Sequence, residues 1–343
     1  MKIVDLRSDT VTKPTIEMRE AMACAEVGDD VLGEDPTVKR LEATAAEMIG
    51  KESALFVASG TMGNQVAVLT HTTRGNEVIV DDQAHIFYYE VGAPALLSSV
   101  QLRPVAGLHG PEALTLIKAA IRDPGNIHFP ETSLLCLENT HNRGGGTVMT
   151  PEQMQEIYEL AKHYGLSVHV DGARIFNAAV ALDRDPGEFT RWCDSIMFCL
   201  SKGLGGPVGS MLAGSREFVN RARKYRKVLG GGMRQAGILA AAGLVALNSV
   251  SRLAEDHVHA KMLARSLSEI PGVELHLQKV QTNIIVADVA GTGMNSDEFV
   301  SVLEQRGVLA TTFGPTLVRL VTHRDVSRED VDYAIEVINS TSW

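Results

Sequence analysis

A chain of 343 residues, 45% hydrophobic and 22% charged, can bury a large core and has room for one to three domains. Its net charge of −10, with lysines and arginines scattered along the chain, argues against a nucleic-acid surface. No apolar run approaches the length of a membrane span, MKIVDLRSDT lacks a signal-peptide core, and the four cysteines include no CxxC, so a cytoplasmic protein with free thiols and no membrane partner is expected.

Residues 1–13 look too polar for a strand and too irregular for a helix, and read as an N-terminal arm. A helix signal begins at Pro14 with Ile16, Met18 and Met22, and an acidic loop covers residues 28–36. Residues 38–49 repeat apolar side chains at helical spacing. A strand at 54–58 runs into Ser59-Gly60-Thr61, which opens a helix to about Thr70. The free amides and positive dipole end of such a helix suit a phosphate, although Ser and Thr cap helices everywhere. The strand at 77–80 is followed by His85 and the aromatics Phe87, Tyr88 and Tyr89. Strands at 101–106 and 134–138 flank a helix near 111–121, with His128 between them. The loop after Glu138, holding His141 and Gly144 to Gly146, reads as an active-site turn.

The next two strands carry the chemistry. An amphipathic helix at 151–164 stops at Gly165, and the strand at 167–170 delivers Asp171 to its end, where open α/β sheets place ligands. The apolar run 196–200 reads as a buried strand that ends on Ser201-Lys202 and a glycine-rich turn. Desolvation lowers the pKa of a lysine and frees its amine for Schiff-base chemistry; the alternative is that Lys202 snorkels to solvent. Pyridoxal phosphate needs such a lysine, and a carboxylate that keeps its ring nitrogen protonated. Lys202 and Asp171 supply that pair. Arg174 has the forked guanidinium that holds a carboxylate by two parallel hydrogen bonds.

A strand at 208–213, a basic helix at 216–227 and an apolar helix at 236–247 close this part of the chain. From about residue 249 the pattern changes. A polar helix at 251–270 is followed by strands at 273–277, 284–288, 308–311 and 317–321, with helices after Ser296 and from Ser327. The expected organisation is an arm (1–13), a large α/β domain (14–248) and a small α+β domain (249–343).

Nine stretches, in order along nearly the whole chain, carry a resemblance: DLRSDTVTKPT (5–15), GDDVLGEDPT (28–37), SGTMGNQ (59–65), HIFYYEVGA (85–93), ENTHNRGGG (138–146), HVDGARIFNA (169–178), CLSKGLGGPVGS (199–210), GGGMRQ (230–235) and RLVTH (319–323). The chain thereby resembles the L-threonine aldolases, pyridoxal 5'-phosphate enzymes of fold type I (aspartate aminotransferase-like). The resemblance implies a large domain with a seven-stranded, mostly parallel sheet and a small α+β C-terminal domain. It implies a homotetramer built from two catalytic dimers, and an amino-acid substrate. The implied cofactor-binding residues are Lys202, Asp171, Gly60, Thr61, His85, Ser201 and Arg234, with His85 stacked on the ring and Gly60 and Thr61 on the phosphate. Ser8, Arg174 and Arg319 are implied to hold the substrate carboxylate. Lys227 and Arg234 are implied to lie near the cofactor of the adjacent subunit, and His128 near the substrate hydroxyl. The implied reaction is reversible retro-aldol cleavage of L-threonine or L-allo-threonine to glycine and acetaldehyde, with His85, His128 or a water as base. No metal-ligand spacing is present. Leu32 departs from the family, where tyrosine is common. The residues alone also admit β-elimination or transamination, or a non-catalytic phosphate-binding protein.

Overall fold

In the computed structural model, which describes residues 2–343, the first element corrects the reading of the arm. Val4–Asp5 is a two-residue strand, β1, that pairs in parallel with Val308–Leu309. Two residues are too few to leave a pattern in sequence, and the pairing partner lies at the other end of the chain.

Seven strands form the main sheet: β2 (Ser53–Val57), β3 (Glu77–Asp81), β4 (Gln101–Val105), β5 (Thr132–Glu138), β6 (Ser167–Asp171), β7 (Ser195–Cys199) and β8 (Ser210–Gly214). Their order is β2-β8-β7-β6-β5-β3-β4. Every neighbouring pair is parallel except those of β8, which runs antiparallel to β7 and β2. The sheet is covered on both faces, so its inner strands are near-continuous apolar runs. One face carries Phe56, Ile79, Leu135, Val168, Ile196 and Phe198 into the largest core. On the other face, Leu55, Val57, Met197 and Leu212 pack with Val66 and Ala67 of the helix Gly60–His71 and with Phe218 and Val219 of the helix Arg216–Val228. Gly63 makes the close seating of the first helix possible, since a Cβ there would lie 2.6 Å from Met197 Cγ.

The C-terminal part holds a three-stranded antiparallel sheet of β9 (Ile284–Asp288), β11 (Thr311–Thr312) and β12 (Leu317–Val321), in the order β11-β12-β9. The strand expected at 308–311 is split. β10 (Val308–Leu309) pairs with β1, and β11 turns away to pair with β12. The strand expected at 273–277 does not form; only Glu274 bridges Asp288, and a 3-10 turn follows at Leu277–Lys279. Val4 and Leu6 are buried in this part's core with Leu263, Phe299, Val308 and Leu320. The arm is therefore packed into the C-terminal core. Among the described residues no single helix is long and apolar enough to cross a membrane, although Gly237–Leu247 and Val250–Ser268, bent by 54°, reach that length together. Cys136, Cys193 and Cys199 are buried, Cys24 is exposed, and all four are free.

Candidate active site

The carboxyl ends of β5 and β6 and the turn after β7 open into a cleft of about 310 Å³ that the arm and the C-terminal part complete. Asp171, Lys202, Arg174, Arg319, Ser8 and His85 all line it. These come from five separate stretches of sequence. The parallel strands point their ends the same way, which gathers Asp171 and Lys202; the arm and β12 add Ser8 and Arg319.

The floor of the cleft is acidic. Asp171 is buried, and its Oδ2 accepts from Asn64 Nδ2 at 2.8 Å while its Oδ1 accepts from the Ala173 amide at 3.1 Å. Asn64 Nδ2 also donates to Glu90 Oε1 at 2.8 Å, and Gln65 Nε2 donates to the other oxygen of Glu90. Glu90 in turn holds His85 by its Nδ1 at 2.9 Å. Burial pulls the pKa of His85 down, but the Glu90 hydrogen bond and the charges of Asp171 and Glu90 outweigh it, and the imidazole is raised above its ordinary value. Glu138, at the end of β5, receives the amides of His85 at 2.5 Å and Asn142 at 2.8 Å. Burial and the neighbouring Asp171 push its carboxyl up. His141 faces Asp81 at 3.3 Å, and that pairing raises its pKa against the effect of burial.

The opposite wall is cationic. Arg174 donates from Nε to Asp9 Oδ2 and from Nη2 to Asp9 Oδ1, both at 2.7 Å. Asp9 lies in the polar arm, yet it is fully buried; burial raises its carboxyl, and the charge and hydrogen bonds of Arg174 bring it far below the usual carboxylate range. The fork of Arg174 is thus occupied by the protein, and Nη1 is the nitrogen left for a substrate. Arg319 donates to Asn142 Oδ1 at 3.0 Å and to the Arg7 carbonyl at 3.2 Å, and lies over the Phe313 ring at 4.9 Å. Its pKa is lowered, first by burial and then by the charge of Arg174. Arg143 sits between the rings of Tyr88, at 4.2 Å, and Phe313, at 4.7 Å, and donates to the Tyr89 hydroxyl at 2.9 Å. Ser8 lines the cleft with its Oγ accepting from Thr10.

Lys202 is half-buried at the cleft. Beside it, the helix Gly60–His71 begins against the end of β7: a Cβ on Gly60 would lie 3.0 Å from Cys199 Sγ. Ser59 Oγ takes the Met62 amide and its carbonyl takes the Gly63 amide, and the first amides of the helix stay open, as at any helix start. Thr61 is exposed, and Ser201 is half-buried one residue before Lys202.

Among the residues assigned from the sequence, Gly60, Thr61 and Ser201 do not line this cleft, nor do the four that follow. His128 is exposed in the loop before β5, beside Ile127, which is 93% exposed. Lys227 is exposed on the helix Arg216–Val228, and Arg234 is exposed and paired with Asp29 at 2.8 Å. Leu32 is 70% exposed. Conversely, Asn64, Glu90 and Asp9 were not assigned from sequence. Only Glu138, an acid at a strand end like Asp171, carried a signal that could have found it.

The residue set fits pyridoxal phosphate: an amine, a buried carboxylate, a half-exposed imidazole face and an open helix start lie at the same end of the sheet. Two cleft residues keep a buried polar atom without a partner, Thr140 Oγ1 and Arg319 Nε, as expected where a ligand belongs. The ligand atoms of His85, Glu90 and Asp171 also lie within 4.8 Å of one another. Their carboxylates already accept from Asn64 and His85, so the group is a hydrogen-bonded floor.

Comparisons with known proteins show the family and the fold. The family model described as beta-eliminating lyase matches residues 5–290. The chain is 46% identical over 340 residues to low-specificity L-threonine aldolase 1 of Arabidopsis thaliana, covering 98% of this chain and 95% of that protein. It is 48% identical over 332 residues to the low specificity L-threonine aldolase of Escherichia coli (strain K12), covering 96% of each. The solved threonine aldolase of Leishmania major superposes with a TM-score of 0.83 at 20% identity, covering 97% of this chain and 98% of that one, and so shows the shared fold.

Proposed function

This chain belongs to the beta-eliminating lyase family, and we propose that it is a pyridoxal 5'-phosphate-dependent L-threonine aldolase that cleaves L-threonine, L-allo-threonine and related β-hydroxy-α-amino acids reversibly to glycine and acetaldehyde or another aldehyde. The observation that carries this reading is that Lys202 and Asp171 share one cleft with Arg174 and Arg319. Bound there, pyridoxal phosphate supplies a sink for the electron pair left when a bond to the substrate Cα breaks.

The chain's own groups do the rest. Lys202 is the amine that carries the cofactor, and Asp171 holds a proton at the ring nitrogen. Gly60, Thr61 and Ser201 would hold the cofactor's phosphate, and His85 would pack on its ring. Ser8, Arg319 and the free Nη1 of Arg174 would hold the substrate carboxylate and so orient the substrate's Cα–Cβ bond for cleavage. His85 takes the β-hydroxyl proton: its Nδ1 is committed to Glu90, and Nε2 is the nitrogen left for substrate. Such base assistance contributes about 10²–10⁴-fold.

Lys227 and Arg234 serve the same chemistry from a neighbouring subunit of a homotetramer. Exposed apolar side chains support such an assembly, including Val91 (95%), Ile127 (93%) and Leu96 (79%). Free cysteines suit the cytosol. The test is aldehyde release from protein loaded with pyridoxal phosphate and given the four threonine stereoisomers. Release from the L forms alone is expected. A keto acid or ammonia without aldehyde would replace this reading with transamination or elimination.

A further inference from the structure

Asn64 occupies an unusual position. Its amide nitrogen donates to two carboxylates at once, Asp171 Oδ2 and Glu90 Oε1, both at 2.8 Å, and the residue is fully buried. With both amide hydrogens spent, its oxygen must accept. The partner of that oxygen is His169 Nε2 at 3.1 Å, so His169 carries its proton on Nε2. His169 Nδ1 must then accept, and Ser195 Oγ at 2.9 Å is the donor. Ser195 Oγ is left to accept from His71 Nε2 at 2.7 Å. Each link fixes the next, and every donor in the relay points from His71 toward the carboxylates.

The fold makes this arrangement. Asn64 and His71, seven residues apart on one helix, face the sheet together. His169 and Asp171 alternate onto the same face of β6, and Ser195 is the register partner of His169 on β7. His71 is stacked on Phe218 at the far end, with ring centroids 4.7 Å apart. Both imidazoles are kept neutral: burial pushes His169 down to about 3 and His71 to about 4. Neutral histidines are what a one-way relay needs, because a doubly protonated ring could not accept from Ser195.

We propose that Asn64 is a positioning residue, locked by the relay His71–Ser195–His169, which fixes the Asp171 carboxylate that would meet the cofactor's ring nitrogen and ties it to the Glu90–His85 pair. The proposal rests on the reading that the cleft takes pyridoxal phosphate. Without the relay, the buried Asn64 oxygen has no donor, and the amide loses the contact that fixes its plane between the two carboxylates.

The test uses the holoenzyme and two readouts. In ¹⁵N spectra of the histidine side chains, His71 and His169 are expected to stay neutral with the proton on Nε2 between about pH 5 and 8. Titration of either ring in that range, or a proton on Nδ1 of His169, overturns the relay. Second, the pH dependence of the bound cofactor's absorption is compared in His169→Leu and His169→Gln. Gln keeps a donor at the position of Nε2 and should retain the native profile. Leu should shift it, with kcat lowered by about 10- to 100-fold and KM within about twofold, the usual loss when a group that orients a reactive partner is removed. A native profile and rate in His169→Leu overturns the proposal. Should that variant not fold, Ser195→Ala removes one hydroxyl and is read the same way. A missing cofactor band in the unaltered protein would sink the cofactor reading itself; a normal band with insensitive variants sinks the relay alone.

Discussion

Asp9 and Arg174 meet as a buried two-point ion pair, with both N–O distances 2.7 Å. A residue of the arm thus fixes the orientation of the arginine beside Asp171. Asp9→Ala leaves an uncompensated buried guanidinium and should cost about 3–5 kcal/mol in urea unfolding. The pH dependence has a definite sign. The carboxyl of Asp9 is depressed in the folded protein, so its stabilisation is present above the ordinary carboxylate pKa and is lost on acidification. The gap between the native protein and the variant should be constant near neutrality and narrow below about pH 4. A gap that does not change with pH would mean that the pair is not ionic.

Lys202→Ala should abolish both turnover and the cofactor's bound absorption band while leaving the fold intact by circular dichroism. A variant that still turned over threonine at a near-native rate would remove Lys202 from its assigned role.

Glu90→Gln should lower the pKa of His85, because the Glu90 hydrogen bond is the largest influence holding it up. Since His85 must be neutral to act as base, the acid limb of kcat/KM should move to lower pH. An unmoved limb would assign the proton transfer to another group. The stability sign follows as well. A raised histidine pKa stabilises the fold at pH below its unfolded value and is lost as pH rises through the folded one, so this variant should lose more stability at acid pH than at alkaline pH.

If Arg234 completes a neighbour's site, inactive Lys202→Ala and inactive Arg234→Ala should complement. Unfolded together and reassembled one to one, they should regain about a quarter of native activity, because each mixed pair keeps one intact site. No recovery in confirmed hybrids would confine Arg234 to its contact with Asp29.

The main sheet and the meeting of Asp171 and Lys202 in one cleft were legible because both rest on local signals. Buried parallel strands are apolar runs, and Asp171 and Lys202 follow such runs directly. Strand β9 and strand β12 were readable for the same reason. What was illegible depends on partners distant in sequence. Asp9 looks like any turn residue until Arg174 is packed over it. The relay draws single polar residues from one helix and two strands, none abnormal in its own neighbourhood. The stretch 273–277 shows the opposite error: its apolar alternation suggested a strand, but only Glu274 finds a partner on β9.

Strand β1 also bears on how the protein is made. Val4 and Asp5 leave the ribosome long before their partners Val308 and Leu309 are made. The large sheet has all its strands by residue 214 and is free to form early. Ser8 and Asp9 have to wait. A nascent chain can therefore possess Lys202, Asp171 and a folded sheet while one wall of the cleft is still missing. The cleft closes only when an early segment docks onto a much later one.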